Sequence, residues 1–322
     1  MKRIILTLAT AAAILTGAPK VLAGPFNPKD VAADPALLVH VDCDALRNSS
    51  VGKSILSEPD IQDKLAAVGA IFDFDLRKQL HGLTVYTTEE HPKDGALVVY
   101  ADFDPDRLTT LAKGMDGFQI VTNGSHVIYS WMDKNKKGKD GEGARVCGAI
   151  LGHRVIFGQD ETHLADALDV IDGKSPSFAA KKVFAEPAAG ESVIVQGVML
   201  KFDFDSADQN AAVFKMSKSV RLKISEAADT MTAAVRFEAA DADTAQNIAN
   251  IAQGLLAVLK MQKSDASALK LANAIVIKQD GAAVGLTLSV PSSELIDTIK
   301  EGQKKAEDKE KAQDSKVSAE NK

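Results

Sequence analysis

Apolar and polar positions alternate along this chain in short runs, and most runs end on an aspartate or a glycine. Gly95-Ala-Leu-Val-Val-Tyr-Ala-Asp-Phe-Asp-Pro-Asp-Arg-Leu108 is the clearest case. An apolar strand enters an Asp-x-Asp corner, and a helix starts directly behind it. The pattern returns at 193–205 and 233–243, with a shorter form at 37–44. Strand-like runs bounded by turn residues predict strands over 36–41, 83–87, 96–101, 118–121, 127–131, 146–151 and 155–158 in the first half. In the second half they predict strands over 192–200, 220–225, 231–239, 274–278 and 284–290. His91 to Gly95, Asn123-Gly124, Gly152-His153 and Asp280-Gly281 supply the turns. Helical spacing predicts helices over 49–71 with a break at Pro59, then 104–113, 161–171, 205–215 and 243–261, and a last one opened by Pro291.

Each half therefore reads strand, helix, two strands, helix, two strands. Hairpins with helices between them predict an α+β fold: two similar antiparallel-sheet units with helices packed on one face, a βαββαββ-like internal duplication. The expected organisation is a signal peptide over 1–23, a first unit over 24–178, a second over 179–300, and a charged tail over 301–322, helical or disordered. The segment 133–145 is rich in lysine and glycine and reads as a solvated loop.

The leader follows from its own pattern. Lys2-Arg3 precede an apolar run over 4–15, and Val21-Leu22-Ala23 form a small-residue cleavage site. Gly17, Pro19 and Lys20 break the run short of the roughly 18–20 residues that a span needs. The expectation is Sec export, cleavage after Ala23, a periplasmic or extracellular location and no stable membrane anchor. Losing Lys2, Arg3 and Lys20 moves the formal charge from −6 to −6 − 3 = −9. An acidic body disfavours nucleic acid and anionic membrane as partners. Cys43 and Cys147 permit one disulfide in an oxidising compartment, and two buried thiols are the equal alternative.

Candidate chemistry is sparse. The Asp-x-Asp pairs at 42/44, 73/75, 102/104, 203/205 and 241/243 suit helix capping. The run from Asp102 begins like a calcium loop, but Arg107 stands where glycine is needed and Lys113 where the bidentate glutamate belongs. Gly52-Lys53-Ser54 and Gly173-Lys174-Ser175 lack the upstream glycine of a phosphate loop, holding Arg47 and Leu168 there. The six histidines, at 40, 81, 91, 126, 153 and 163, show no metal-ligand spacing. Tyr129 and Trp131 share one strand face and suit either a ligand groove or a core edge. The helix over 243–261 carries an apolar stripe of Ile248, Ile251, Leu255, Val258 and Leu259, expected to lie on the sheet. No residue is assigned a catalytic, cofactor-binding or metal-binding role, and no cofactor is expected.

Several stretches together resemble a group of exported proteins of unknown function from planctomycete-like bacteria. They are the strand ending at Asp42, Phe74-Asp75, Leu80-His-Gly-Leu-Thr-Val-Tyr86, Gly95-Ala-Leu-Val-Val99 with Asp102-Phe-Asp104, Val127-Ile-Tyr-Ser-Trp131 and Ala167-Leu-Asp-Val-Ile-Asp-Gly173. The resemblance covers roughly 36–178 and implies a two-half α+β fold with no activity attached. The resulting expectation is a non-enzymatic binding or structural protein of the cell envelope, holding a protein partner or apolar ligand or forming a homo-oligomer. The alternatives are a secreted hydrolase, with acidic corners and a histidine such as His81 converging at the junction of the halves, and a calcium-stabilised module.

Overall fold

The structure is a computed structural model that describes residues 26–88, 95–134, 143–201, 212–261 and 266–304. The first half contributes strands β1 Leu37–Asp42, β2 Leu80–Thr87, β3 Gly95–Ala101, β4 Gln119–Asn123, β5 His126–Asp133, β6 Ala144–Leu151 and β7 Arg154–Gly158. The second contributes β8 Ser192–Met199, β9 Ser217–Ala227, β10 Thr230–Ala239, β11 Ile275–Asp280 and β12 Ala283–Pro291. Helices α1 Cys43–Asn48, α2 Ser50–Leu56, α3 Pro59–Phe72 and α4 Leu76–Gln79 lie between β1 and β2. Helix α5 Pro105–Lys113 follows β3, and α6 Glu161–Ile171 follows β7. Helices α7 Ala212–Lys215, α8 Ala242–Met261 and α9 Ala266–Ala274 belong to the second half, and residues 292–304 form α10.

All twelve strands join one antiparallel sheet, in the order β11-β12-β10-β9-β8-β1-β2-β3-β7-β6-β5-β4. The architecture is α+β. From the central pair outward, each half repeats the same path: β1-β2-β3 followed by the returning β7, and β8-β9-β10 followed by the returning β12. The first half carries one extra hairpin, β4-β5. The two expected units are thus fused through the pairing of β1 with β8, from Leu37↔Met199 to Val41↔Val195. Each of these strands would otherwise be an open edge with unpaired amides, and pairing closes both.

Helices lie on both faces of this sheet, where the pattern suggested one. Side chains alternate faces along a strand, so the pairings fix which residues share a face. Leu38, Val98, Ile128, Ala149 and Ile156 form a core with Leu164, Ala167 and Leu168 of α6. In the second half, Phe237 and Val284 meet Ala245, Ile248 and Ala249 of α8. The chain of partners Val98–Thr84–His40–Gln196–Lys223–Ala234–Thr287 places these two cores on opposite faces. The physical reason is polarity: the α6 face becomes Lys223, Ala234, Arg236 and Thr287 in the second half, which favours water over a helix.

Local rules set the helix boundaries. Asp42, Asp75, Asp104 and Asp241 accept backbone N–H bonds from Ala45 (2.8 Å), Arg77 (3.0 Å), Asp106 (2.9 Å) and Thr244 (2.7 Å). Four of the five Asp-x-Asp corners are therefore caps; the pair at 203/205 and most of the helix expected over 205–215 lie outside the described residues, as do the leader, the turn at 91–94, most of the loop over 133–145 and the last part of the tail. Pro59 and Pro105 sit in the first turns of α3 and α5. Gly52 lies inside α2, where a Cβ would fall 1.8 Å from the Leu46 carbonyl oxygen; it marks a close helix approach.

Helix α8 departs from its expected orientation. Ala245, Ile248, Ala249 and Ala252 face the sheet, whereas Ile251, Leu255, Val258 and Leu259 are exposed. Small alanines let the helix axis approach closely, and the buried positions all lie between Ala245 and Ala252, none beyond.

Candidate functional site

The face of β5-β6-β7 opposite α6 is where helix and sheet fail to close. Strand alternation points Tyr129, Trp131, Gly148, Ile150, Val155 and Phe157 to this face, in cross-strand partnership Tyr129↔Gly148↔Phe157. Above them sits α5, started by Asp104 and ended by Gly114. Its Leu108, Leu111 and Ala112, with Met115 just beyond, recur at i, i+3, i+4 and i+7 and present one apolar face. Ile71 closes a side from the last turn of α3, which stops where Asp73 turns left-handed at φ 54°.

These residues enclose a cavity of about 380 Å³. Gly148 keeps its floor open: a Cβ there would stand 3.3 Å from the Phe157 ring. Trp131 meets Phe157 edge-on at 6.4 Å, and Tyr129 stacks on Phe118 at 6.3 Å. The lining has no charged side chain. Tyr129 Oη, one of its two side-chain polar atoms, accepts a hydrogen bond from Thr109 Oγ1 at 3.4 Å. Ile71 and Met115 at the rim are 59% and 45% exposed, so the entrance is apolar as well. Such a space offers dispersion contacts and water exclusion, with little to orient a charged group.

Tyr129 and Trp131, which alternation places together, both line this cavity. The rest of the lining was missed. The spacing of Leu108, Leu111, Ala112 and Met115 is a signal that would have found the roof. The floor as a whole was hidden, because the pairing of β5 with β6 bridges an intervening segment that no tight-turn signal closes.

A second group gathers charge. His81 Nδ1 lies 2.9 Å from Asp44 Oδ2, and its Nε2 lies 3.1 Å from Asp102 Oδ2. His153 reaches Asp102 at 3.1 Å, while Arg47 holds Asp44 at 2.6 Å and donates to the Leu80 carbonyl. Burial alone would lower the His81 pKa, but hydrogen bonds to Asp102 and Asp44 outweigh it and raise it. Asp102 is held low, chiefly by His81. Burial pushes the neighbouring Cys43 thiol up to about 11, reinforced by Asp42, so it is a poor nucleophile at neutral pH. Three of the residues anticipated for a charged site do meet, within the first half at the ends of β2 and β3 rather than at the junction. With both His81 nitrogens occupied by carboxylates, the arrangement is a clasp of charges.

A wider cleft of about 930 Å³ lies at the junction itself, over His40 and Asp42 of β1 and Gln196 of β8. Two of its ionic groups are engaged: Lys181 pairs with Asp34, and Glu191 accepts from Lys223 at 2.5 Å and Ser225 at 2.7 Å. His40 is buried and 2.9 Å from the Thr84 hydroxyl. His126 pairs with Asp172 and His163 with Asp160; His91 lies outside the described residues. Lys174, of the second Gly-Lys-Ser, joins Asp172 and Asp169 after the turn at Gly173. Cys43 and Cys147 are free thiols, Cys147 buried in the α6 core. Among the described residues, no group of three or more His, Cys, Asp or Glu is placed to hold a metal ion, and no helix is long and apolar enough to cross a membrane.

No protein-family model and no curated protein matches the sequence. Among solved structures, crystal form III of TP0453 is similar with a TM-score of 0.45 and 11% identity, over 86% of this chain and 98% of that one. Crystal form I of the same protein gives a TM-score of 0.44 and 9% identity, over 85% and 97%.

Proposed function

We propose that this chain is an exported, non-enzymatic binding protein of the cell envelope that holds an apolar ligand between α5 and the floor of β5-β6-β7. The observation that carries the reading is the open cavity itself: about 380 Å³, lined from two helices and three strands without a charged side chain. A gap of this size is normally closed by larger side chains, because empty apolar space costs packing energy. Export rests on the leader at 1–23, and the mature N-terminus is expected at Gly24 by intact-mass measurement of envelope fractions. Trp131 is the chain's one tryptophan and reports on the cavity directly. Adding the neutral fluorophore N-phenylnaphthylamine should quench Trp131 and brighten the probe by energy transfer. A probe that stays dark at saturating protein would end this reading.

A second reading, hydrolysis, is favoured by one observation: Asp44, His81, Asp102 and His153 are linked in series, each within 3.1 Å of the next. It predicts cleavage of chromogenic short-chain esters that disappears in His81→Asn. Equal background rates in both proteins would dispose of it.

A further inference from the structure

We infer that the polar face of β9 to β12 holds a second binding site, for a phosphate group, centred on Gly285 and independent of the apolar cavity. Four residues form one row across the sheet. Lys278 of β11 stands opposite Gly285 of β12, Gly285 opposite Arg236 of β10, and Arg236 opposite Arg221 of β9. Opposed residues share a face, and this face lies away from the core that α8 covers.

Three features of the row are locally unfavourable. Two arginines stand directly opposite each other, where like charges repel. They share one carboxylate: Glu238 accepts from Arg236 Nε at 2.8 Å and stands 3.7 Å from Arg221. Arg221 Nε is buried without a hydrogen-bond partner among the described residues. Glycine weakens a strand interior, and here neither backbone nor packing demands it. Gly285 is not left-handed, and a Cβ would meet nothing nearer than the Lys278 carbonyl oxygen at 3.9 Å. Its effect is to leave open space between two long cationic side chains. Local rules broken together in one place mark a functional site. An anion over Gly285 fills the gap and offsets the repulsion.

Geometry selects the group. With strands about 4.8 Å apart, the Lys278 and Arg236 backbones stand about 10 Å apart across the glycine. Arg236 gives Nε to Glu238 and keeps its terminal nitrogens to donate, and the exposed Lys278 ammonium has no partner among the described residues. A planar carboxylate would be satisfied by the arginine fork alone, whereas a tetrahedral phosphate offers oxygens to both sides. The three cations face two carboxylates, Glu238 and, one row further on, Asp280, so the patch is net positive on a chain of formal charge −6.

Melting curves of the full-length protein at fixed ionic strength test this. Inorganic phosphate should raise the melting temperature, and acetate should need at least about tenfold more for the same shift. Gly285→Val should melt no lower than the parent, because a β-branched side chain suits a strand and finds room, yet it should lose the phosphate response. Arg236→Gln and Lys278→Gln should each weaken phosphate binding about tenfold or more in calorimetric titration. No shift up to about 10 mM phosphate would overturn the site, as would a full response in Gly285→Val or unchanged titrations in both charge variants. An equal response to acetate would overturn the phosphate assignment. The group could arrive on a free ester or on a lipid. Sedimentation with phosphatidylcholine vesicles containing phosphatidate, lost in Arg236→Gln, assigns the lipid source; a shift with phenyl phosphate and no sedimentation assigns the free ester.

Discussion

Asp30 is 1% exposed, yet it carries three partners: Arg154 Nη1 at 2.5 Å, Tyr100 Oη at 2.9 Å and Asn27 Nδ2 at 3.0 Å. Burial and the Asp30 charge push the Tyr100 hydroxyl pKa upward, so it stays a donor throughout neutral pH. Removing the carboxylate would strand Arg154 and Tyr100 together. Asp30→Ala should cost about 3 kcal/mol of stability, measured by urea titration, and Asp30→Asn less, since the amide oxygen still accepts from Tyr100. Ala228 raises the opposite case. It turns the β9-β10 hairpin with φ 45°, beside Asp229 at φ 56°, where an L side chain is strained. Glycine relieves that strain but adds freedom to the unfolded chain. Ala228→Gly should stabilise by about 0.5 kcal/mol, visible as a raised melting temperature. Nothing in the local sequence flags this turn, because Ala-Ala-Asp-Thr carries no glycine.

Among the elements, the His81 clasp joins four pieces of chain: α1 through Asp44, β2 through His81, the end of β3 through Asp102, and the β6-β7 turn through His153. Arg47 is the other charge on Asp44. The folded pKa of His81 is raised above its ordinary 6.5. Its contribution is therefore complete below that value and is lost as pH rises through the raised one. The melting temperature should fall as pH rises above about 6.5, and His81→Asn should flatten that slope. A slope unchanged in the variant would remove the clasp from the account. The elements themselves were largely legible. Asp104, Pro105 and Gly114 bracket α5, and Asn123-Gly124 fixes a hairpin whose glycine has φ 58°. These signals act within a few residues, so sequence carries them. Helix α9 was missed because strand and helix meet without a breaker at Ala274-Ile275. The cavity was half legible for a related reason. Tyr129 and Trp131 share a face by local geometry, and Gly148 meets Phe157 across the β6-β7 hairpin, whereas the two pairs join only through the more distant pairing of β5 with β6.

At the scale of the molecule, the shared sheet argues for one folding unit. The two halves exchange packing as well as strand edges. Val198 of β8 lies in the α6 core of the first half, while Ala45, Leu46 and Val51 of α1 and α2 pack on Ile194 and Met231 of the second. Buried Glu226 of β9 accepts from the Ser50 backbone N–H at 2.8 Å and from Ser292 at the start of α10. Gly197 lies on the central pair, where a Cβ would stand 3.0 Å from the Leu38 carbonyl oxygen. Separate unfolding of the halves would break all of these contacts with no return. Trp131 reports on the first half alone, and far-ultraviolet circular dichroism reports on both. The two signals should trace coincident urea transitions. Gly197→Val should force β1 and β8 apart, lowering the midpoint for both signals together by about 2 kcal/mol of stability. Two separated transitions in the unaltered protein would mean that the halves are independent domains that merely touch. Binding should then act on the first half only; in a single unit, an apolar ligand added to the protein should raise the midpoint of both signals.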